Sequence, residues 1–204
     1  MEDEYKSAKY YDAFLHLFVW RIRKEVLKIV KKNKYTKILD VCCGTGNQLK
    51  LLKKHGINGT GVDLSKAMLE IAESGNIKVN CQEQDAENID FSDKSFNMTT
   101  TTFALHEKSN SSAKKILNEM IRLTKNNGHL IIIDFSITKN TFLLARKGIS
   151  FIESRAGYDH YTNYRSYLKN GGLDSLLSEL PLKEVEKHYF AFNGVVLKVM
   201  EKIN

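Results

Sequence analysis

The chain has 204 residues, 42% hydrophobic and 27% charged, with one proline and a formal net charge of +7. That length suits one domain with a real core, and the composition excludes disorder, which joins low hydrophobicity to high net charge. No apolar run is long enough to span a bilayer, and Glu2, Asp3 and Glu4 are unlike the basic-then-apolar opening of a secretory signal.

In chain order, the segment from about Ser7 to Lys32 is predicted helical, because Phe14, Leu17, Phe18, Ile22, Val26 and Ile29 recur at three- and four-residue steps. It precedes the first strand, so residues 1–33 are expected to form a helical cap that lies over the domain or covers an edge. Lys37 to Cys42 reads as a buried strand and Asn47 to His55 as a helix. Gly59 to Asp63 is a second strand, followed by a helix from Ser65 to Glu73 with Ser65 as its N-cap. Lys78 to Gln82 and Ser95 to Thr101 are the third and fourth strands. Ser112 to Thr124 is a helix, Asn127-Gly128 a stop, and His129 to Asp134 the fifth strand. Strands alternating with helices in this way imply a parallel sheet covered on both faces.

The chain ends differently. Phe142 to Leu180 is helical material, broken at Gly171-Gly172 and stopped by Pro181. Leu182 to Phe192 and Val195 to Glu201 are strands joined by a tight turn at Asn193-Gly194, so one of them runs against the parallel set. The expected fold is α/β: a mostly parallel seven-stranded sheet with helices on both faces and a C-terminal antiparallel hairpin. It forms a single domain over 1–204, with 138–181 as a helical insertion.

The basic residues are scattered lysines, several in pairs such as Lys31-Lys32, Lys53-Lys54 and Lys114-Lys115. They do not form an arginine-rich stripe with interleaved aromatics, so nucleic acid is not indicated. Cys42, Cys43 and Cys81 make neither a disulfide framework nor a C-x-x-C pair. Reduced thiols in the cytoplasm are expected.

Four features fall at the carboxyl ends of the predicted parallel strands, where open α/β sheets bind ligands. After strand one, Cys43-Gly44-Thr45-Gly46-Asn47 lets a backbone approach a ligand and opens a helix whose free N–H groups suit an anion. After strand two, Asp63 could accept from both hydroxyls of a ribose, or instead cap the next helix. After strand three, Asp85-Ala86 could meet an adenine edge, or be a solvated loop. After strand four, Thr101 to His106 would line a pocket floor with hydroxyls, an aromatic ring and one titratable group. A dinucleotide-binding G-x-G-x-x-G would need a small residue where Leu49 stands, and would not usually place an acid at Asp40. An NAD-binding oxidoreductase is therefore the weaker alternative.

With these residues in that order, the chain resembles the class I S-adenosylmethionine-dependent methyltransferases of the small-molecule group that includes the quinone-biosynthesis enzymes. Ile38-Leu39-Asp40 through Gly46 resembles the first motif, and Gly61 to Leu69 the second-strand motif. Phe91 to Asn97 is similar to the approach to strand four, and Phe103-Ala104-Leu105-His106 to the loop after it. Glu119 to Arg122 with Lys125 to Gly128 resembles the helix and turn before strand five. The resemblance implies a Rossmann-like domain with S-adenosyl-L-methionine as cofactor. Asp40, Cys42, Gly44, Thr45 and Gly46 would surround its methionine part. Asp63 would hold the ribose, with Leu64 and Met68 on the adenine face and Asp85 and Ala86 at its edge. Thr102 and Phe103 would lie near the sulfonium, and Tyr11 would close over the cofactor from the N-terminal helix or serve core packing. Cys42 replaces the first glycine of the usual motif.

The expected activity is methyl transfer to a small-molecule acceptor, by a monomer or homodimer with no metal. His106 is the candidate general base by position, with a structural role as the alternative. Tyr158, His160 and Tyr161 are candidates for the acceptor pocket, since aromatic and hydrogen-bonding groups suit a ring or polar small molecule. A catalytically silent nucleoside-binding module remains the other reading.

Overall fold

The computed structural model describes residues 19–138 and 141–203. Tyr11, Phe14, Leu17 and Phe18 lie outside them. The described part of the first helix, α1, covers 19–33 and buries Val19, Ile22, Val26, Ile29 and Val30 along one stripe. There follow β1 (Ile38–Val41), α2 (Asn47–Lys54), β2 (Thr60–Asp63), α3 (Lys66–Glu73), β3 (Asn80–Glu83), β4 (Phe96–Thr102), α4 (Asn110–Leu123) and β5 (Thr124–Phe135). Three helices, α5 (Leu143–Glu153), α6 (Tyr158–Lys169) and α7 (Gly172–Ser178), then lead to β6 (Leu182–Phe190) and β7 (Val195–Lys202).

The strands form one seven-stranded sheet in the order β3-β2-β1-β4-β5-β7-β6. All pairs from β3 through β5 are parallel, and β7 runs antiparallel to both β5 and β6. The chain steps outward from β1 to β3, then returns to build β4 and β5 on the other side. Right-handed crossovers therefore send α2 and α3 to one face and α4 to the other. The direction changes between β1 and β4, which opens a crevice at their carboxyl ends.

The core explains these strands. Ile38–Val41 is buried at every position, and so is Leu130–Phe135, as parallel strands covered on both faces must be. β4 is unusual because Thr99, Thr100 and Thr101 are fully buried. Thr99 Oγ1 meets Thr124 Oγ1 at 2.9 Å, whereas the hydroxyls of Thr100 and Thr101 have no hydrogen-bond partner among the described residues.

Two turn expectations need correction. Asn127-Gly128 does not stop the chain before strand five; it lies inside β5, which begins directly after α4. The register jumps there from Phe96↔Thr124 to Met98↔His129, and a Cβ at Gly128 would come within 2.5 Å of the Asn97 carbonyl oxygen. The glycine serves a bulge, not a turn. At the other end, the hairpin does not turn on two residues. β6 stops at Phe190, and Ala191, Phe192 and Asn193 all take positive φ, at 49°, 53° and 66°. The link thus spans four residues, closed by the Gly194 N–H donating to the Ala191 carbonyl at 3.0 Å.

The orphaned hydroxyls yield a stability prediction. Thr100→Val and Thr101→Val should each stabilise the chain by about 1 kcal/mol, because each removes a buried polar group without a partner. Thr99→Val, which breaks a made bond, should destabilise it by a similar amount. Urea midpoints in the reverse order would contradict this.

Candidate active site

The crevice begins with the turn after β1. Cys42, Gly44 and Gly46 all have positive φ, at 56°, 53° and 67°. Gly46 caps α2, and a Cβ there would stand 2.9 Å from Val79 Cγ2 and 3.1 Å from Ala72 Cβ, so this glycine lets the turn pack on α3 and the chain before β3. Gly44 differs, since a Cβ there would meet nothing within 4 Å. Its backbone is open to an approaching molecule.

Asp63 at the end of β2 ties this turn to its neighbour. Its Oδ2 accepts from the Gly44 N–H at 2.7 Å and its Oδ1 from the Ser65 N–H at 2.9 Å. Ser65 Oγ in turn accepts from the Met68 N–H and caps α3. The carboxylate therefore shapes both loops, and with four lone-pair sites it keeps two for a ligand.

A cavity of about 490 Å³ occupies the crevice, within the range of small-molecule sites. Of the residues picked out in the sequence, Asp40, Cys42, Gly44 and Thr45 line it from β1 and its turn. Asp63, Leu64 and Met68 line it from β2 and α3, and Thr102 and Phe103 from β4. Gly46 stands behind the wall. Asp85 and Ala86 do not line this cavity: Asp85 is exposed, with Oδ1 accepting from the Glu87 N–H at 2.9 Å, and Ala86 is buried in the core. Sequence reading missed Arg23, Glu107 and Lys108, which bring charge to the cavity from α1 and the loop after β4. Glu107 and Lys108 directly follow the recognised Phe103–His106 segment, and that strand-end position was the available signal. Arg23 had none beyond lying on the polar face of α1.

Burial pushes the Asp40 carboxyl up to about 7; Arg23 opposes the rise and Asp63 adds to it. The group is thus poised between neutral and charged at neutral pH. Burial likewise pushes the Cys42 thiol up to about 12, so it is protonated and inert. The Cys43 thiol lies 3.8 Å from Cys81 Sγ and donates to it, which raises Cys43 and lowers Cys81. Gly61 makes room for this contact, since a Cβ there would sit 2.6 Å from Cys43 Sγ.

His106 belongs to a different environment. It is buried behind the cavity, while its neighbours Ala104, Glu107 and Lys108 face it. Nδ1 lies 2.6 Å from Asp134 Oδ1 and Nε2 3.3 Å from Glu153 Oε2. Burial alone would lower its pKa, but Asp134 and then Glu153 outweigh it and raise the value to about 10. Burial would raise Glu153, yet His106 and His160 hold it down at about 2. An imidazolium donating at both nitrogens has no lone pair for an acceptor proton, so of the two roles open to His106 the geometry favours the structural one. Of the predicted acceptor residues, Tyr158 is exposed and Tyr161 stacks on Tyr164. His160 hydrogen-bonds Glu153 at 2.6 Å, and none of the three lines the cavity.

Residues 38–128 match the family model of a methyltransferase domain. The chain is 34% identical over 131 residues, 63% of its length and 56% of the relative's, to the demethylmenaquinone methyltransferase of Thermotoga maritima. It spans about half the length, or less, of the curated relatives it matches. A solved structure from Pyrococcus horikoshii is 20% identical, with a TM-score of 0.67 over 95% of this chain and 98% of that one. The plantazolicin methyltransferase BpumL, solved in complex with SAH, is 16% identical, with a TM-score of 0.68 over 98% of this chain and 90% of its own. At these identities the two structures speak for the fold. Over the matched residues the chain is similar to the class I S-adenosylmethionine-dependent methyltransferases, those of quinone biosynthesis among them.

The positive φ at Cys42 can be tested directly. Glycine normally destabilises a site relative to alanine by ~0.5–1 kcal/mol, but a left-handed position reverses the order. Cys42→Gly should therefore be more stable than Cys42→Ala by about 1 kcal/mol in thermal or urea unfolding. A more stable alanine variant would show that the turn carries no such strain.

Proposed function

We propose that the chain binds S-adenosylmethionine in the β1–β4 crevice and transfers its methyl group to a small-molecule acceptor. The observation that carries this reading is Asp63. It draws the glycine turn to the end of β2 through the Gly44 N–H and keeps acceptor capacity beside the cavity.

The residues present suit this cofactor. A ribose needs a carboxylate that can accept from two hydroxyls, which Asp63 offers. Leu64 and Met68 supply apolar surface for an adenine face, and Gly44 leaves its backbone open to close approach. Asp40, beside Arg23, suits a zwitterionic and sulfonium-bearing molecule better than the diphosphate of NAD. The match of 38–128 to a methyltransferase domain and the SAH bound by BpumL point the same way.

The sulfonium supplies an activated methyl group when bound, so the chain's task is mainly to bind and align. Phe103 and Thr102 place a ring and a hydroxyl on the wall of the crevice, and Glu107 and Lys108 form an ion pair at 2.8 Å on its rim. We assign the acceptor side to α1 and to the insertion, whose His160 reaches Glu107 at 3.4 Å. Held between Asp134 and Glu153, His106 positions its loop instead of removing a proton. The three thiols are all free, in keeping with work in the reducing cytoplasm.

Turnover is tested by release of S-adenosylhomocysteine across a panel of acceptors; silence across many classes would favour a module that only binds. Asp63→Ala should weaken S-adenosylmethionine binding roughly 10–100-fold, the loss expected for hydrogen bonds to a charged group. Near-normal affinity in calorimetry would remove the ribose assignment.

Asp40 gives a pH dependence with a defined sign. A cation bound beside it favours its ionised form, so binding releases a proton whenever the free carboxyl is protonated. Affinity should rise with pH by up to about tenfold per unit below 7 and flatten above it. Asp40→Asn should abolish the slope, and an unchanged slope would place its origin elsewhere.

A further inference from the structure

Among the described residues, His106, Glu153 and His160 bring ligand atoms within 4.8 Å of one another. They come from three places: the loop after β4, the end of α5 and the first turn of α6. Both ring Nε2 atoms converge on one carboxylate oxygen, Glu153 Oε2, at 3.3 Å from His106 and 2.6 Å from His160. Each ring also has a carboxylate at its far nitrogen. Asp134 Oδ1 lies 2.6 Å from His106 Nδ1, and Glu107 Oε2 lies 3.4 Å from His160 Nδ1.

We propose that His106, Glu153 and His160 bind one divalent transition-metal ion of the zinc type, with Asp134 and Glu107 orienting the two imidazoles. A metal-ligating histidine typically gives its second N–H to a carboxylate, which fixes the tautomer and aims the free lone pair at the ion. Here both histidines have that partner, on the side away from the convergence point. Ligands of a tetrahedral zinc at about 2.0–2.1 Å stand roughly 3.3 Å apart. The His106–Glu153 pair already has that spacing, and the His160–Glu153 pair needs only to open.

Two nitrogens and a carboxylate suit zinc, iron(II) or manganese(II), and the absence of thiolate or thioether ligands disfavours copper(I). The surroundings are those of a built site. His106 and Glu153 are buried, and Phe135 and Tyr164 pack against the His106 ring at 4.7 and 6.1 Å. The Tyr164 hydroxyl is buried there with no hydrogen-bond partner among the described residues. Without the ion, a proton shared among the same groups holds the carboxylates together. With it, the insertion is clamped to the loop that carries Glu107 to the cavity. The site was invisible in the sequence because its three ligands span some fifty residues with no regular spacing.

The test uses metal alone, so its outcome does not depend on the methyl-transfer reading. The chelator-treated chain is titrated with zinc in a calorimeter and with cobalt(II) in a spectrophotometer. One ion per chain should bind, raise the melting temperature, and give visible cobalt bands without thiolate charge transfer. Glu153→Gln and His160→Gln should each weaken zinc at least 100-fold, and Glu107→Gln 10-fold or more. His188→Ala, on β6, should change nothing. His160 is partly exposed on α6 and serves as the variant least dependent on the core. Failure to bind zinc, equal affinity in the Glu153 and His160 variants, or thiolate bands from the Cys43–Cys81 pair would each overturn the proposal.

Discussion

Parallel strands end by presenting backbone groups to whatever loop follows, and here buried or half-buried carboxylates satisfy those loops. Asp63 is the one on which the crevice depends. By taking the N–H of Gly44 from the neighbouring turn and that of Ser65 from its own, it joins the ends of β1 and β2 into one wall. The left-handed residues at 42, 44 and 46 are tolerated because this contact, Cys43 N–H on the Val62 carbonyl and the packing of Gly46 over-determine the turn.

Asp134 does the same on the far side of the switch point. It accepts from the N–H groups of Leu105 and His106, at 3.0 and 3.2 Å, and from the His106 ring. That fixes the path of the loop after β4, and with it the placing of Phe103, Glu107 and Lys108 on the cavity. The same histidine reaches Glu153 on the insertion, so one buried carboxylate organises both the cavity wall and the attachment of α5 and α6. Removing Asp134 would leave His106 buried beside Glu153 with its loop unsatisfied, a large penalty by any scale for buried polar groups.

Much of this architecture could be read from residue order. The β1 turn, Asp63 and the Thr102-Phe103 segment were legible because local rules govern them: an apolar run, then glycine, then an acid at a strand end. Asp134 was seen only as the last residue of a strand, since nothing local tells that its side chain turns back to the preceding loop. Asn127-Gly128 and Asn193-Gly194 misled because the same dipeptide suits a tight turn, a β-bulge or a longer left-handed link. Tertiary contact, such as the approach of Asn97 to Gly128, decides among them. His106 was found by position, but the sequence could not choose between a base and a structural role, because its partner Glu153 lies far along the chain in a helix with no motif of its own.

The central claim is that the crevice between β1 and β4 is a methyl-donor site rather than a general nucleotide pocket. The most direct test is calorimetric titration of the unmodified chain with S-adenosylmethionine and, in parallel, with NAD. Saturable binding of one S-adenosylmethionine per chain with no heat from NAD is the result expected. Tight NAD binding with no response to S-adenosylmethionine would contradict it.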